Sequence, residues 1–105
     1  MSAQQDPTDL SGREEDEAAR RAGLDLQRRR ELDDLRWLMG HAQGRRIAAR
    51  VLERTGLFRT SFHNSGSVMA FNEGRRDVGL WLTAELQTAT PDAFSKLLSE
   101  QGTTK

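Results

Sequence analysis

The 105-residue sequence predicts an all-α fold, a small bundle of three main helices plus a short C-terminal helix behind a partly disordered polar N-terminal arm. Three observations carry that prediction. Apolar residues recur at three- and four-residue steps, the period of a helix that buries one face. No segment alternates with period two over a length that would make a strand. Gly40, Gly56, Gly66 and Pro91 punctuate the chain at intervals that suit helices joined by short links. One core suffices at this size, since domains most often run to about 100–150 residues.

Residues 1–12 contain Pro7, Gly12 and a single large apolar side chain after Met1, Leu10, and read as a disordered tail. Residues 13–31 form a polar helical arm rich in Glu, Ala, Arg and Leu, supported by pairs such as Glu17 with Arg21 and weakened by Gly23. From Leu32 to Met39 the apolar density rises to that of a packed helix, and residues 32–99 make the helical body. Gly40 reads as the glycine cap that ends the first helix.

The second helix is expected from about Ala42 to Thr55. Its apolar face is Ile47, Val51 and Leu52, with Arg45, Arg46, Arg50 and Arg54 on or beside the opposite one, and Gly56 ends it. Leu57, Phe58 and Phe62 are then expected to plug one end of the core. The loop His63–Ser67 offers Ser65 or Ser67 as a cap for the third helix, which runs from about Ser67 to about Thr88. Thr90 and Pro91 open a short fourth helix over Asp92–Ser99 with Phe94, Leu97 and Leu98, and residues 100–105 read as a frayed tail.

The third helix is the expected packing centre. Phe71, Arg75, Val78, Leu82 and Leu86 share one face, and the predicted core is Leu35, Leu38, Ile47, Val51, Leu52, Phe62, Phe71, Val78 and Leu82. Gly74 and Gly79 each cost about 1 kcal/mol relative to Ala in mid-helix, so both are assigned to helix packing, at a close crossing. An arginine on a buried face needs a partner. Asp34, with Asp33 beside it, is the candidate for a structural polar pair with Arg75, favoured over a ligand-binding arginine because no anion site is otherwise marked. Trp37 and Trp81 read as core-edge residues.

The net charge of zero conceals a gradient: residues 1–19 sum to −5, 20–43 to +2, 44–77 to +4 and the remainder to −1. Fourteen of the sixteen basic residues are arginines, which pair bidentately with carboxylates or phosphates. Candidate partner-binding residues are Arg45, Arg46, Arg59 and Arg76, with the polar helix from Glu14 to Arg30 as the alternative docking element. Binding to nucleic acid is the weaker reading, because acids are interleaved among the arginines and the second helix lacks a base-reading pattern of Asn, Gln and Ser.

No catalytic residue, metal site or cofactor is indicated. His41 and His63 fall in no metal-binding spacing, there is no cysteine, and no glycine-rich loop follows a strand. The apolar runs are far below the roughly 18 residues that span a bilayer, so no membrane association is expected.

Asp34-Leu35-Arg36-Trp37-Leu38-Met39, Gly44-Arg45-Arg46, Gly56-Leu57-Phe58-Arg59-Thr60-Ser61-Phe62 and Phe71-Asn72-Glu73-Gly74-Arg75-Arg76-Asp77-Val78-Gly79-Leu80, in that order, resemble the Bbp-nineteen-like phage domain of tailed phages and prophages. The resemblance covers about residues 32–98. Relatives often open the second helix with Ser or Thr, then Pro and Glu, where this chain has His41-Ala42-Gln43. The resemblance implies a protein encoded among virion-assembly genes: a non-enzymatic structural or assembly accessory that contacts other phage proteins, portal- or capsid-associated. Its expected location is the host bacterial cytoplasm during assembly, and the virion. A nucleic-acid-binding accessory and a small regulator of a host protein are the alternatives, and the oligomeric state is left open.

Overall fold

The structure, a computed structural model, describes residues 10–103. Of the two predicted tails, residues 1–9 and 104–105 lie outside the described residues. Four helices follow in order: α1 Leu10–Met39, α2 Ala42–Thr55, α3 Gly66–Ala89 and α4 Pro91–Thr103. Among the described residues there is no strand. Helix α1 begins at Leu10, three residues before the expected start at Arg13, and α4 extends past the expected end at Ser99. No described helix is long and apolar enough to cross a membrane.

The chain divides into two units between Glu31 and Leu32. The first holds α1 up to Glu31, where the large apolar side chains Leu10, Leu24 and Leu26 are all exposed. What supports the helix laterally is a set of solvent-facing pairs one turn apart: Arg21 with Glu17 at 3.9 Å, Arg28 with Glu31 at 3.3 Å, and Gln27 donating to Glu31 at 3.4 Å. Such pairs contribute about 0.2–0.5 kcal/mol each.

The second unit has a compact centre made by the end of α1, α2, the last half of α3 and α4. Met39, Leu52, Leu86 and Leu97 are almost completely buried, joined by Ala48, Ala49, Leu57 and Phe94, with Leu35, Leu82 and Ala93 packed against them. The alanines on α2 let neighbouring helices approach, while Leu52 fills the space between them.

The helix ends have identifiable causes. Gly56 adopts φ 69° and ψ 25°, the left-handed conformation that favours glycine, and its N–H donates to the Glu53 carbonyl, closing α2. Gly40 is different: Gly56 is the one described glycine with positive φ, and Gly40 ends α1 by donating to the Arg36 and Trp37 carbonyls at 3.0 and 3.3 Å without a left-handed turn. Ser65 caps α3, its hydroxyl accepting from the Val68 N–H at 3.4 Å. Thr90 joins α3 to α4: its N–H donates to the Leu86 carbonyl and its carbonyl accepts from the Phe94 N–H. Arg36 ties the end of α1 to the end of α3 through Nε to the Ala89 carbonyl at 2.6 Å, while Nη1 pairs with Asp33, also at 2.6 Å.

Much of the predicted core is not core. Ile47, Val51, Phe62, Phe71 and Val78 are exposed, as are Trp37, Phe58 and Trp81. The cause lies in the rotation of α3. Gly79, Leu86 and Ala89 are its buried positions, and residues advance by roughly 100° per step, so Val78 stands about a quarter turn from the contact line through Gly79. The C-terminal part of the predicted stripe, Leu82 and Leu86, reaches the core. Its N-terminal part, Phe71, Arg75 and Val78, is exposed. After Gly56 only Leu57 turns inward, so Phe58 and Phe62 do not plug the bundle.

Candidate functional site

The buried arginine of this fold is Arg45 on α2, not Arg75. Its side chain lies on the Ala48, Ala49 and Leu52 face, buried with those residues. Nε donates to Glu100 Oε1 at 2.9 Å, Nη2 to Glu100 Oε2 at 3.1 Å, and Nη1 to the Met39 carbonyl at 2.9 Å. This fork holds the ends of α1 and α4 on α2, and it explains why α4 continues through Glu100 instead of fraying there. The Arg45 hydrogen bonds hold the Glu100 carboxyl below its ordinary value; partial burial opposes them, and the Arg45, Lys96 and Arg46 charges assist. Arg45 is thus taken up by the fold, and the expectation that it faces a partner is corrected.

Arg75 is exposed and does not bond Asp34, which is itself exposed. Arg75 Nη2 donates to Asn72 Oδ1 at 2.9 Å, Nη1 to the Arg54 carbonyl at 3.4 Å, and the guanidinium lies 5.1 Å from the Phe71 ring centroid. The predicted Asp34–Arg75 tie fails because the stripe that carries Arg75 faces solvent at that level, where a guanidinium needs no buried counter-ion. Asp33, the neighbouring candidate, is paired with Arg36.

The two glycines separate. A Cβ on Gly79 would overlap Thr55 Oγ1 and stand 3.0 Å from Thr55 Cβ and 3.2 Å from Leu57 Cβ, so α3 crosses the end of α2 at this point. A Cβ on Gly74 would meet nothing within 4 Å, and the expected packing role of Gly74 within the chain is corrected. Arg76 is half-buried and Arg46 exposed. Ser61, in the link between α2 and α3, donates to Glu73 and so fastens that link to α3.

An open groove of about 770 Å³ is lined by Ile47, Arg50, Val51, Glu53, Arg54, Arg59 and Arg75. Four guanidinium groups and one carboxylate surround two apolar side chains, Ile47 at 51% and Val51 at 45% exposure. Glu53 approaches Arg59 at 3.9 Å, and both are exposed, so this pair barely offsets the positive field. Of the predicted partner-facing residues, the groove includes Arg59; Arg50 and Arg54 enter it unpredicted. The signal for them was the sequence Ile47, Arg50, Val51, Arg54, which follows one face of α2 at steps of three, one and three.

Among the described residues there is no group of three or more His, Asp or Glu side chains able to hold a metal ion. What the groove offers chemically is a cationic rim around an apolar floor, which suits recognition of carboxylates or phosphates.

Comparison with curated proteins and with solved structures gave no match. The sequence model of one family, described as Bbp19-like phage protein, matches residues 35–99, from the packed end of α1 through most of α4. The matched span contains the core, Arg45 of the fork and every residue of the cationic groove, and ends one residue before Glu100. The chain belongs to the Bbp19-like phage protein family.

Proposed function

We propose that this protein is a non-enzymatic accessory of the phage particle, structural or active in assembly, that works through contacts with other phage proteins. Its partners on this reading are portal- or capsid-associated proteins, met in the host bacterial cytoplasm during assembly. The observation that carries the proposal is the fate of the aromatic residues. Trp37, Phe58, Phe62, Phe71 and Trp81 are 61–72% exposed, and Phe94 alone is buried. Aromatic side chains are the large apolar anchors of protein interfaces, and stable monomers rarely leave many of them in water.

Mass spectrometry of purified particles and of assembly intermediates tests this reading. Peptides of the chain should be recovered in one or both at a reproducible ratio to the portal or capsid protein. Presence in the infected-cell extract with absence from both preparations would instead favour a regulator that binds a host protein. The convergence of Arg50, Arg54, Arg59 and Arg75 supports a second reading, a nucleic-acid-binding accessory. That role requires duplex affinity falling steeply with salt, and no binding at low salt removes it.

A further inference from the structure

We propose that the cationic groove on α2 receives the acidic N-terminal part of α1 from a second copy of this chain, so that two copies exchange arms. The inference goes beyond the proposed role and holds whether or not the chain enters the particle. Two surfaces of opposite charge support it. On α2, Ile47, Arg50, Val51 and Arg54 share one helical face, and Arg59 and Arg75 extend the positive rim. On α1, Leu10, Glu14, Glu17, Arg21 and Leu24 share one face, being four, three, four and three residues apart on a continuous helix. Its large apolar residues are exposed, Leu10 at 65% and Leu24 at 55%. Glu14, Glu15, Asp16 and Glu17 meet the groove's excess of arginine, although Glu17 already approaches Arg21 at 3.9 Å, and Leu10, one turn before Glu14, is placed to meet the apolar floor.

Alternative occupants fit less well. Groove against groove would oppose four arginines with four arginines. A phosphate backbone would leave Ile47 and Val51 unused and would face Glu53. An acidic helix with an exposed leucine answers both the rim and the floor, and this chain carries one. Reciprocal exchange gives a closed two-fold pair, the commonest symmetry of soluble oligomers.

Charge reversal tests the proposal on the full chain. The groove variant is R50E/R54E and the arm variant is E14R/E17R. All four positions are exposed, so at about 0.5 M salt, where wild type is itself monomeric, each variant should keep the cooperative melting transition of the helical body, with the loss of the Glu17–Arg21 pair confined to the arm. In sedimentation velocity at low ionic strength, wild type should sediment at twice the chain mass and shift toward the monomer as salt rises to about 0.5 M, where screening extends only a few Å. Each variant alone should be monomeric, because its arm and groove carry the same sign. Mixed one to one, the two variants should regain the doubled mass, since both contacts of the mixed pair are then attractive. A monomeric wild type at low salt overturns the proposal, and so does a doubled mass that either variant retains or that mixing fails to restore.

Discussion

Replacing Glu100 with Gln leaves the buried Arg45 guanidinium with the Met39 carbonyl as its remaining close acceptor of full strength. The folded-state carboxyl is held below its ordinary value near 4.5, so its contribution to stability is complete above that value. It is lost as pH falls through the lowered folded value. Wild type should therefore melt at progressively lower temperature on acidification below about pH 4.5, and E100Q should melt lower at neutral pH with a shallower decline. Circular dichroism melts of the two proteins from pH 7 into the acid range read the difference directly.

The glycines make a second residue-scale test. Gly79→Ala places a methyl group into Thr55, whose hydroxyl is already committed to the Leu52 carbonyl at 2.5 Å, and should destabilise by about 1–3 kcal/mol. Gly74→Ala adds a methyl into open space and should stabilise the isolated chain by about 0.5–1 kcal/mol. Equal effects in chemical denaturation would contradict the crossing at Gly79. Sequence pattern marked both glycines alike, because spacing reports that a residue is on a helix and not which neighbour stands beside it. Arg45 was misassigned for a related reason. The bulk of Ile47 and Val51 outweighed the small Ala48 and Ala49, although the alanine face is the one that packs.

At the scale of the element, the end of α2 is legible because its terminator is chemical: Gly56 takes the left-handed conformation that ends a helix, whereas His41 at the start makes no side-chain cap. The face that α3 buries is not legible, since Phe71, Arg75 and Val78 have the spacing of a core stripe whether or not a neighbour reaches them. Helix α1 gives the clearest prediction here. Up to Glu31 its large apolar side chains Leu10, Leu24 and Leu26 are exposed, whereas helices in folded proteins owe most of their stability to packing of an apolar face. At protein concentrations low enough to be monomeric, amides of residues 14–28 should exchange with solvent far faster than those of residues 48–52 and 82–89. Gly23 has open space around its Cβ position, so Gly23→Ala should slow exchange in the arm and leave the body unchanged. Uniform protection along α1 would mean that the arm is covered.

At the scale of the whole molecule, the sequence supplied more large apolar residues than the core consumes. Four side chains are almost completely buried, while Ile47, Val51, Phe58, Phe62, Phe71, Val78 and Trp81 remain outside. An apolar residue at helical spacing does not announce whether it packs inward or against a partner, which is why the architecture was readable and the surface was not. The distinction has a measurable consequence. A core phenylalanine cut to a small residue costs about 3–5 kcal/mol, whereas exposed positions usually change stability by less than about 0.5 kcal/mol. Phe62→Ser and Phe71→Ser should therefore leave the melting temperature within a degree or two of wild type, and Phe94→Ala should lower it strongly. If the exposed rings are anchors for other phage proteins, the same two serine variants should disappear from purified particles and assembly intermediates while accumulating normally in the cell. Incorporation at the wild-type level would exclude Phe62 and Phe71 as anchors and direct the search to Trp37 and Trp81.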